Sequence, residues 1–228
     1  AAVNRGYGVT TLPGDPLIPN FPHENDGSDS ETPGEDETPD ADDSFTPPDI
    51  AVTPNTEGIT LDKEPNTAEL DIDAVYDKVI PSTVLVITQS GETQGTGTGI
   101  FATEDGYIIT NNHVVSGASQ VTVRTSDGTE YPATVVGADS KTDIAVLKIE
   151  ATGLTPAVVG DSDSLQVGEF TLAVGNPLGE LGGTVTDGII SALDREVTVE
   201  NQTMNLLQTN AAVSPGNSGG GLFNERGE

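Results

Sequence analysis

The sequence predicts an all-β fold made of two β units, preceded by an acidic segment without regular structure. From residue 82 onward, short runs of β-branched and aromatic residues alternate with turns such as Glu104–Gly106 and Ser126–Gly128. Many short strands without intervening helices are typical of β-barrels and β-sandwiches. Before them, Glu31–Asp43 is rich in acids and proline and nearly free of apolar residues.

Composition excludes several classes of function. The 228 residues carry a net charge of −29, and neither nucleic acid nor an anionic membrane surface attracts such a chain. There is no cysteine, which excludes disulfides, thiol catalysis and cysteine-bound zinc. The longest apolar runs are a few residues, far short of the ~20 needed to span a bilayer. The sequence does not begin with methionine, so we expect a targeting or membrane segment upstream.

Residues 1–70 are predicted to be a disordered acidic linker. Such a composition cannot bury enough apolar surface to offset the entropy of ordering it, and charge repulsion and proline keep it extended. His23 lies in this segment and is expected to be solvated. A calcium-binding tract is the alternative, but the glycine turn and fixed ligand spacing of a known calcium site are absent.

Residues 71–150 are predicted to form a short helix and a first closed barrel. The helix spans residues 71–80, with Asp71 as its cap and Pro81 as its end. Its apolar face, by helical spacing, is Ile72, Val75, Tyr76, Val79 and Ile80. We expect this face to pack across the start of the first barrel. The six predicted strands are Val84–Ile87, Thr96–Phe101, Tyr107–Thr110, Val121–Arg124, Tyr131–Val136 and Ile144–Ile149.

Residues 151–228 are predicted to form a crossover, to about residue 166, and a partial second barrel. Its predicted strands are Phe170–Val174, Gly183–Leu193, Val197–Val199, Met204–Thr209 and Gly221–Phe223. Asn224–Glu228 has the composition of a turn that a further strand would follow. The second barrel is therefore expected to be incomplete within this sequence.

Ser218 is the candidate nucleophile. It lies in Asn210–Gly221 among glycines, which allow sharp turns and bring backbone N–H groups close to a ligand. A nucleophilic serine needs such N–H groups for the oxyanion that forms when it attacks a carbonyl. The expected donors are Gly216, Ser218 and also Asn217. The alternative is a surface turn, since these residue types are the commonest in turns.

A base and an orienting acid can be assigned by position. Of the two histidines, only His113 follows an apolar strand. Asp143 directly precedes another apolar strand. A carboxylate there can accept the Nδ1–H of the imidazole and hold its tautomer. The order His113, Asp143, Ser218 is the chymotrypsin-like order, and it differs from the subtilisin and α/β-hydrolase orders.

Together with these motifs, four further stretches resemble the HtrA/Deg family of trypsin-like serine proteases, from about Asp71 to the last residue. They are Gln94–Ile100, Gly160–Leu165, Ala173–Leu178 and Gly188–Leu193. The resemblance implies a chymotrypsin/trypsin-like double β-barrel, truncated here within its second barrel. It also implies His113 as general base, Asp143 as its orienting acid and Ser218 as nucleophile. One departure is Gly221, where the family usually has proline.

The same resemblance implies a bacterial endopeptidase that degrades misfolded or unfolded proteins outside the cytoplasm, as part of quality control under stress. In the membrane-anchored Gram-positive type, a linker separates the anchor from the protease. The full-length protein is expected to be a homotrimer, with a peptide-binding PDZ domain after this region. No metal or organic cofactor is expected. Gly95–Gly99 superficially resembles a nucleotide loop but lacks a surrounding βαβ unit.

Two other classes of function stay open at this point. A chaperone-like or peptide-binding module would keep the fold with a resting active site. An esterase or lipase would also use Ser218, although the residue order and the all-β pattern oppose it. We further predict that the glycine-rich stretch Gly175–Gly183 regulates activity.

Overall fold

The computed structural model describes residues 58–62, 69–175, 184–199, 202–214 and 216–228. Most of the predicted linker, including His23, lies outside these residues, and so does all of the predicted regulatory stretch except Gly175. Within the described part of the chain, no helix is both long enough and apolar enough to cross a bilayer.

The first β unit is a closed six-stranded barrel in which neighbouring strands are antiparallel, in the order β1-β2-β3-β6-β5-β4. Its strands are β1 (Thr83–Ser90), β2 (Thr93–Phe101), β3 (Tyr107–Asn111), β4 (Gln120–Arg124), β5 (Glu130–Asp139) and β6 (Ile144–Ile149). All six predicted strands are confirmed, and several extend beyond the apolar run that identified them. The extra residues are mainly polar ones that pair through the backbone, which hydrophobicity does not reveal.

The barrel is filled from alternate positions along its strands. In β6, Ala145, Leu147 and Ile149 are buried while the residues between them are partly exposed, as the twofold period of a strand requires. The remaining buried members of this core are Val84, Val86, Phe101, Ile108, Val115, Ala118, Val121, Val123 and Val135.

The second β unit is a four-stranded sheet in the order β10-β7-β8-β9. Its strands are β7 (Phe170–Gly175), β8 (Thr184–Val199), β9 (Gln202–Thr209) and β10 (Gly221–Phe223). The two runs predicted between residues 183 and 199 are one continuous strand. Its pairing with β9 shifts register on either side of Ala192, and Asp194 there has a φ of +53°. An irregular strand can thus continue through residues that look like a turn in the sequence. The predicted all-β fold, with a closed first barrel and a second β unit, is confirmed.

Helix α1 (Ile72–Val79) forms where it was predicted, and it packs against more of the protein than was expected. Val75 and Val79 are buried in a second core with Leu172 and Phe223 of the second sheet and Ile100 of the barrel. The helix therefore lies against both units: Ile100 pairs with Thr83 at the start of the barrel, where we expected the helix to pack, and the contact with the second sheet was not predicted.

The two ends of α1 also depart in detail from the predictions. Ile72 was predicted to be buried and is 48% exposed. Asp71 occupies the N-cap position but its side chain makes no capping hydrogen bond; the Asp73 carboxylate accepts from the N–H of Ala74 instead. Pro81 lies in a 3₁₀ turn, Ile80–Ser82, that ends the helix.

Candidate active site

His113 is placed by a sharp change from strand to helix. β3 ends at Asn111, and the one-turn helix α2 (Asn112–Val115) begins at the next residue. The N–H of Asn112 donates to the backbone oxygen of Asp143 over 3.0 Å. The imidazole is thus presented at the rim of the barrel, and its side chain is 50% exposed. The sequence indicated the strand, but a four-residue helix is too short to show a helical period.

Asp143 binds His113 through both carboxylate oxygens. Oδ2 lies 2.7 Å from Nδ1 of the imidazole, and Oδ1 accepts from the backbone N–H of His113 over 2.8 Å. Because a carboxylate is only an acceptor, Nδ1 carries the proton and the lone pair of the neutral ring is on Nε2. The Asp143 side chain is 15% exposed, so this pair is partly shielded from water.

The backbone at Asp143 is in the left-handed region, with a φ of +53°. Short polar residues reach this conformation more easily than others. The preceding turn is held by Asp139, whose carboxylate accepts from the N–H of Lys141 over 2.9 Å and from Oγ1 of Thr142 over 3.0 Å. These hydrogen bonds lower the pKa of Asp139, the Lys141 N–H contributing most. The ordered turn thus fixes the position of Asp143 directly before β6.

Ser218 lies in a tight loop whose backbone donors are largely occupied. The N–H of Asn217 donates to the oxygen of Ser214 over 3.0 Å, and the N–H of Gly220 donates to the oxygen of Asn217 over 2.8 Å. The N–H of Gly219 donates to Oδ1 of Asn111, 2.6 Å away in the barrel.

Two donors of this loop remain open. Among the described residues, the N–H groups of Gly216 and Ser218 have no hydrogen-bond partner. One belongs to the candidate nucleophile and the other to the residue two positions before it. Gly216 reaches its position with a φ of +96°. Of the three predicted oxyanion donors, these two are therefore unpaired in the described residues, whereas the N–H of Asn217 is already bonded.

The serine loop approaches the barrel so closely that only glycine fits at several positions. A Cβ on Gly219 would overlap the oxygen of Thr98 and Oγ1 of Thr110. On the barrel side, a Cβ on Gly97 would lie 2.6 Å from Val114 Cγ1 and 3.2 Å from the oxygen of Ser218. The two β units are thus in backbone contact at the site.

The three predicted site residues are joined in two steps. His113 and Asp143 are directly hydrogen-bonded, whereas in the described part of the chain no hydrogen bond links Ser218 to His113. The serine loop is tied instead to Asn111, two residues before the histidine. A loose serine–histidine contact is common in the absence of substrate.

Two residues of the site were not singled out from the sequence. Asn111 bridges the units, since its Nδ2 donates to the oxygen of Asp143 over 2.9 Å while its Oδ1 holds Gly219. Thr98 donates from its N–H to the oxygen of Ser218 and from Oγ1 to the oxygen of Gly216. The alternating glycines around Thr98 were the available signal, since they indicate a close backbone approach.

A cavity of about 920 Å³ lies away from the three predicted site residues. It is enclosed by the crossover around residues 157–165 and by the second sheet, with Phe101, Phe170 and Ile190 in its wall. None of His113, Asp143 and Ser218 lines it.

Comparison with known proteins places this site in a family. Residues 97–228 match the family model described as a trypsin-like peptidase domain. The chain is 51% identical over 138 residues to a putative serine protease HhoB of Synechocystis, covering 59% of this chain and 33% of that protein. It is 49% identical over 138 residues to a probable periplasmic serine endoprotease DegP-like of Pseudomonas savastanoi, covering 60% of this chain and 28% of that protein.

A solved structure agrees with these matches. The HtrA-type protease AlgW with tripeptide superposes with a TM-score of 0.65 at 40% identity, over 69% of this chain and 52% of that one. The chain spans about a third of the length of the curated relatives it matches. The family model covers more than half of the chain, and His113–Asp143 and the serine loop lie within it. The chain belongs to the trypsin-like peptidase family, with HtrA/Deg proteases among its relatives.

Proposed function

We propose that this chain cleaves peptide bonds by a serine acyl-enzyme mechanism, with Ser218 as nucleophile, His113 as general base and Asp143 as the residue that orients the base. The observation that carries the proposal is the pattern of backbone donors around Ser218. Of the five N–H groups from residue 216 to residue 220, those of residues 217, 219 and 220 are bonded within the protein. The two without a partner among the described residues belong to Gly216 and to the serine itself.

The proposed reaction begins when Nε2 of His113 takes the Ser218 hydroxyl proton as Oγ attacks the peptide carbonyl. The oxygen of the tetrahedral intermediate accepts from the N–H groups of Gly216 and Ser218. His113 then gives the proton to the leaving amine, and water hydrolyses the acyl-enzyme by the same route. Asp143 keeps the proton on Nδ1 throughout, so Nε2 is the basic nitrogen of the resting enzyme.

The proposed substrates are unfolded or misfolded proteins outside the cytoplasm. The support comes from a relative that is named a probable periplasmic serine endoprotease. The proposed site is also open, since half of the His113 side chain is exposed at the rim of the barrel. An extended polypeptide can reach such a site, whereas a folded domain presents few segments that can.

Covalent labelling with a fluorophosphonate probe, read by mass spectrometry, tests the proposal. We expect the label on Ser218, and we expect His113→Ala to lose it. Ser214→Ala is the matched control, because Ser214 is an exposed serine four residues away and its variant is expected to label normally. A folded wild-type chain that takes no label, or takes it at another serine, would contradict the proposal.

A chaperone-like role with a resting active site is the second candidate. A Ser218→Ala variant that suppresses aggregation of an unfolded protein, together with an unlabelled wild type, would favour this role over proteolysis. Labelling of Ser218 in the wild type would reject it as the sole function.

A further inference from the structure

Thr98 lies on β2 at the point where the barrel meets the serine loop. Thr98 is completely buried, and it pairs with Leu85 of β1 in the antiparallel ladder. Its own backbone oxygen accepts from Oγ1 of Thr110 over 2.6 Å. Thr98 is therefore fixed by two neighbouring strands of the barrel before any contact with the loop is considered.

From this fixed position, Thr98 binds two carbonyl groups of the loop. Its N–H donates to the oxygen of Ser218 over 2.8 Å, and its Oγ1 donates to the oxygen of Gly216 over 2.7 Å. The second bond comes from the side chain, so it depends on the residue type, whereas any residue except proline could make the first.

The bond from Oγ1 fixes one particular peptide plane. The carbonyl of Gly216 and the N–H of Asn217 belong to the same planar group. Its oxygen is bound by Thr98 and its N–H by Ser214. With both ends bound, this plane cannot rotate, and it lies directly between the two open N–H groups.

We propose that Thr98 is a positioning residue for the oxyanion site, acting through its hydroxyl on the Gly216–Asn217 peptide. This inference rests on the proposed function. If the hydroxyl is removed, the Gly216 oxygen loses its partner and the plane can turn. The N–H of Gly216, on one side of it, then no longer converges with the N–H of Ser218 on the developing oxyanion. Glycine at residue 216 gives no resistance to that rotation.

The test compares Thr98→Val and Thr98→Ser. Valine keeps the shape and the backbone N–H but removes the hydroxyl, and serine keeps the hydroxyl. Thr83→Val is the matched control, since Thr83 is also a buried threonine whose hydroxyl donates to a backbone carbonyl, that of Val79, outside the site. All variants are measured for kcat and KM on a peptide substrate, for the rate of fluorophosphonate labelling, and for thermal unfolding.

Removal of an oxyanion donor costs about 100–1,000-fold in kcat, and an indirect displacement should cost about 10–100-fold. We therefore expect Thr98→Val to lose about 10–100-fold in kcat and in labelling rate, with KM within about twofold of the wild type. Thr98→Ser is expected to restore most of the rate. Thr83→Val should match Thr98→Val in lost stability while keeping wild-type kcat.

The possible failures are distinct. If the wild type labels at Ser218 and Thr98→Val labels as fast, the inference about Thr98 is wrong and the proposed function stands. If Thr98→Ser is as slow as Thr98→Val, the hydroxyl is not the cause and the inference again fails alone. If the folded wild type takes no label at Ser218, the inference about Thr98 and the proposed function are both wrong.

Discussion

Asn111 and Gly219 are 108 residues apart in sequence and are joined by a hydrogen bond of 2.6 Å between Oδ1 of the first and N–H of the second. The other end of the same amide donates to the backbone of Asp143. One buried side chain thus connects the loop of the candidate nucleophile with the turn of the candidate acid, and it directly precedes the helix that carries His113.

Replacement of Asn111 by leucine should destabilise the fold and slow catalysis together. The variant leaves the buried N–H of Gly219 without a partner, whereas the oxygen of Asp143 keeps the N–H of Asn112. One unpaired buried group costs about 1–3 kcal/mol. Urea unfolding should therefore show a loss of about 1–3 kcal/mol in the free energy of unfolding. Asn112→Leu is the control, because the Asn112 side chain makes no hydrogen bond in the described residues; equal losses in both variants would contradict the bridging role.

Replacement of Asp143 by asparagine should abolish most activity with little effect on folding. Asparagine also tolerates a φ of +53°, so the backbone is retained. Its amide can donate to Nδ1, which favours the wrong tautomer of His113, and such a change costs about 10⁴-fold in kcat. Steady-state kinetics on a peptide substrate measure the loss. A decrease of less than tenfold in a folded variant would show that Asp143 does not set the tautomer.

Replacement of Gly219 by alanine tests how closely the two β units approach. The added methyl group would overlap Thr98 and Thr110, and the φ of +83° disfavours any Cβ. Gly117→Ala is the matched control, because its φ is +72° and nothing lies within 4 Å of the added group. The control should cost about 1–2 kcal/mol from backbone strain alone. Gly219→Ala should lose clearly more stability in thermal unfolding than Gly117→Ala does. Its Ser218 should not react with the fluorophosphonate probe.

Acid should remove a contribution that Asp139 makes to stability. The backbone N–H of Lys141 and the hydroxyl of Thr142 hold the pKa of Asp139 below its ordinary value of 3.8. A folded-state pKa below that of the unfolded chain stabilises the fold at pH values above 3.8, and the effect is lost as pH falls through the lower folded value.

The difference in Tm between the wild type and Asp139→Asn should therefore be largest near neutral pH and shrink in acid. The effect is expected to be small because the carboxylate is exposed. A difference that grows on acidification would mean that the turn does not stabilise ionised Asp139.

Periodic features could be predicted from the sequence, and long-range polar contacts could not. The strands follow from alternation and turn residues, and the pairing of His113 with Asp143 was expected from their positions at strand ends. Thr98 and Asn111 could not be assigned, because their partners are more than a hundred residues away and nothing local distinguishes a bridging asparagine from its neighbour Asn112.

The helix shows a second limit of sequence reasoning. Helical spacing correctly placed Ile72 on the same side as Val75 and Val79, but it does not tell how wide a strip of that side another element covers. The barrel and the second sheet cover Val75 and Val79, and Ile72 is left about half exposed.

The close contact between the barrel and the serine loop also affects how the protein would respond to heat. The candidate base and acid belong to one β unit and the candidate nucleophile to the other, while each unit has its own ladder of strands. Besides the second core, their alignment at the site depends on a few hydrogen bonds from Thr98 and Asn111, and local openings of this kind cost less than global unfolding. On warming, the two units can separate slightly while every strand survives, so inactivation should come at a lower temperature than loss of the β-sheet signal.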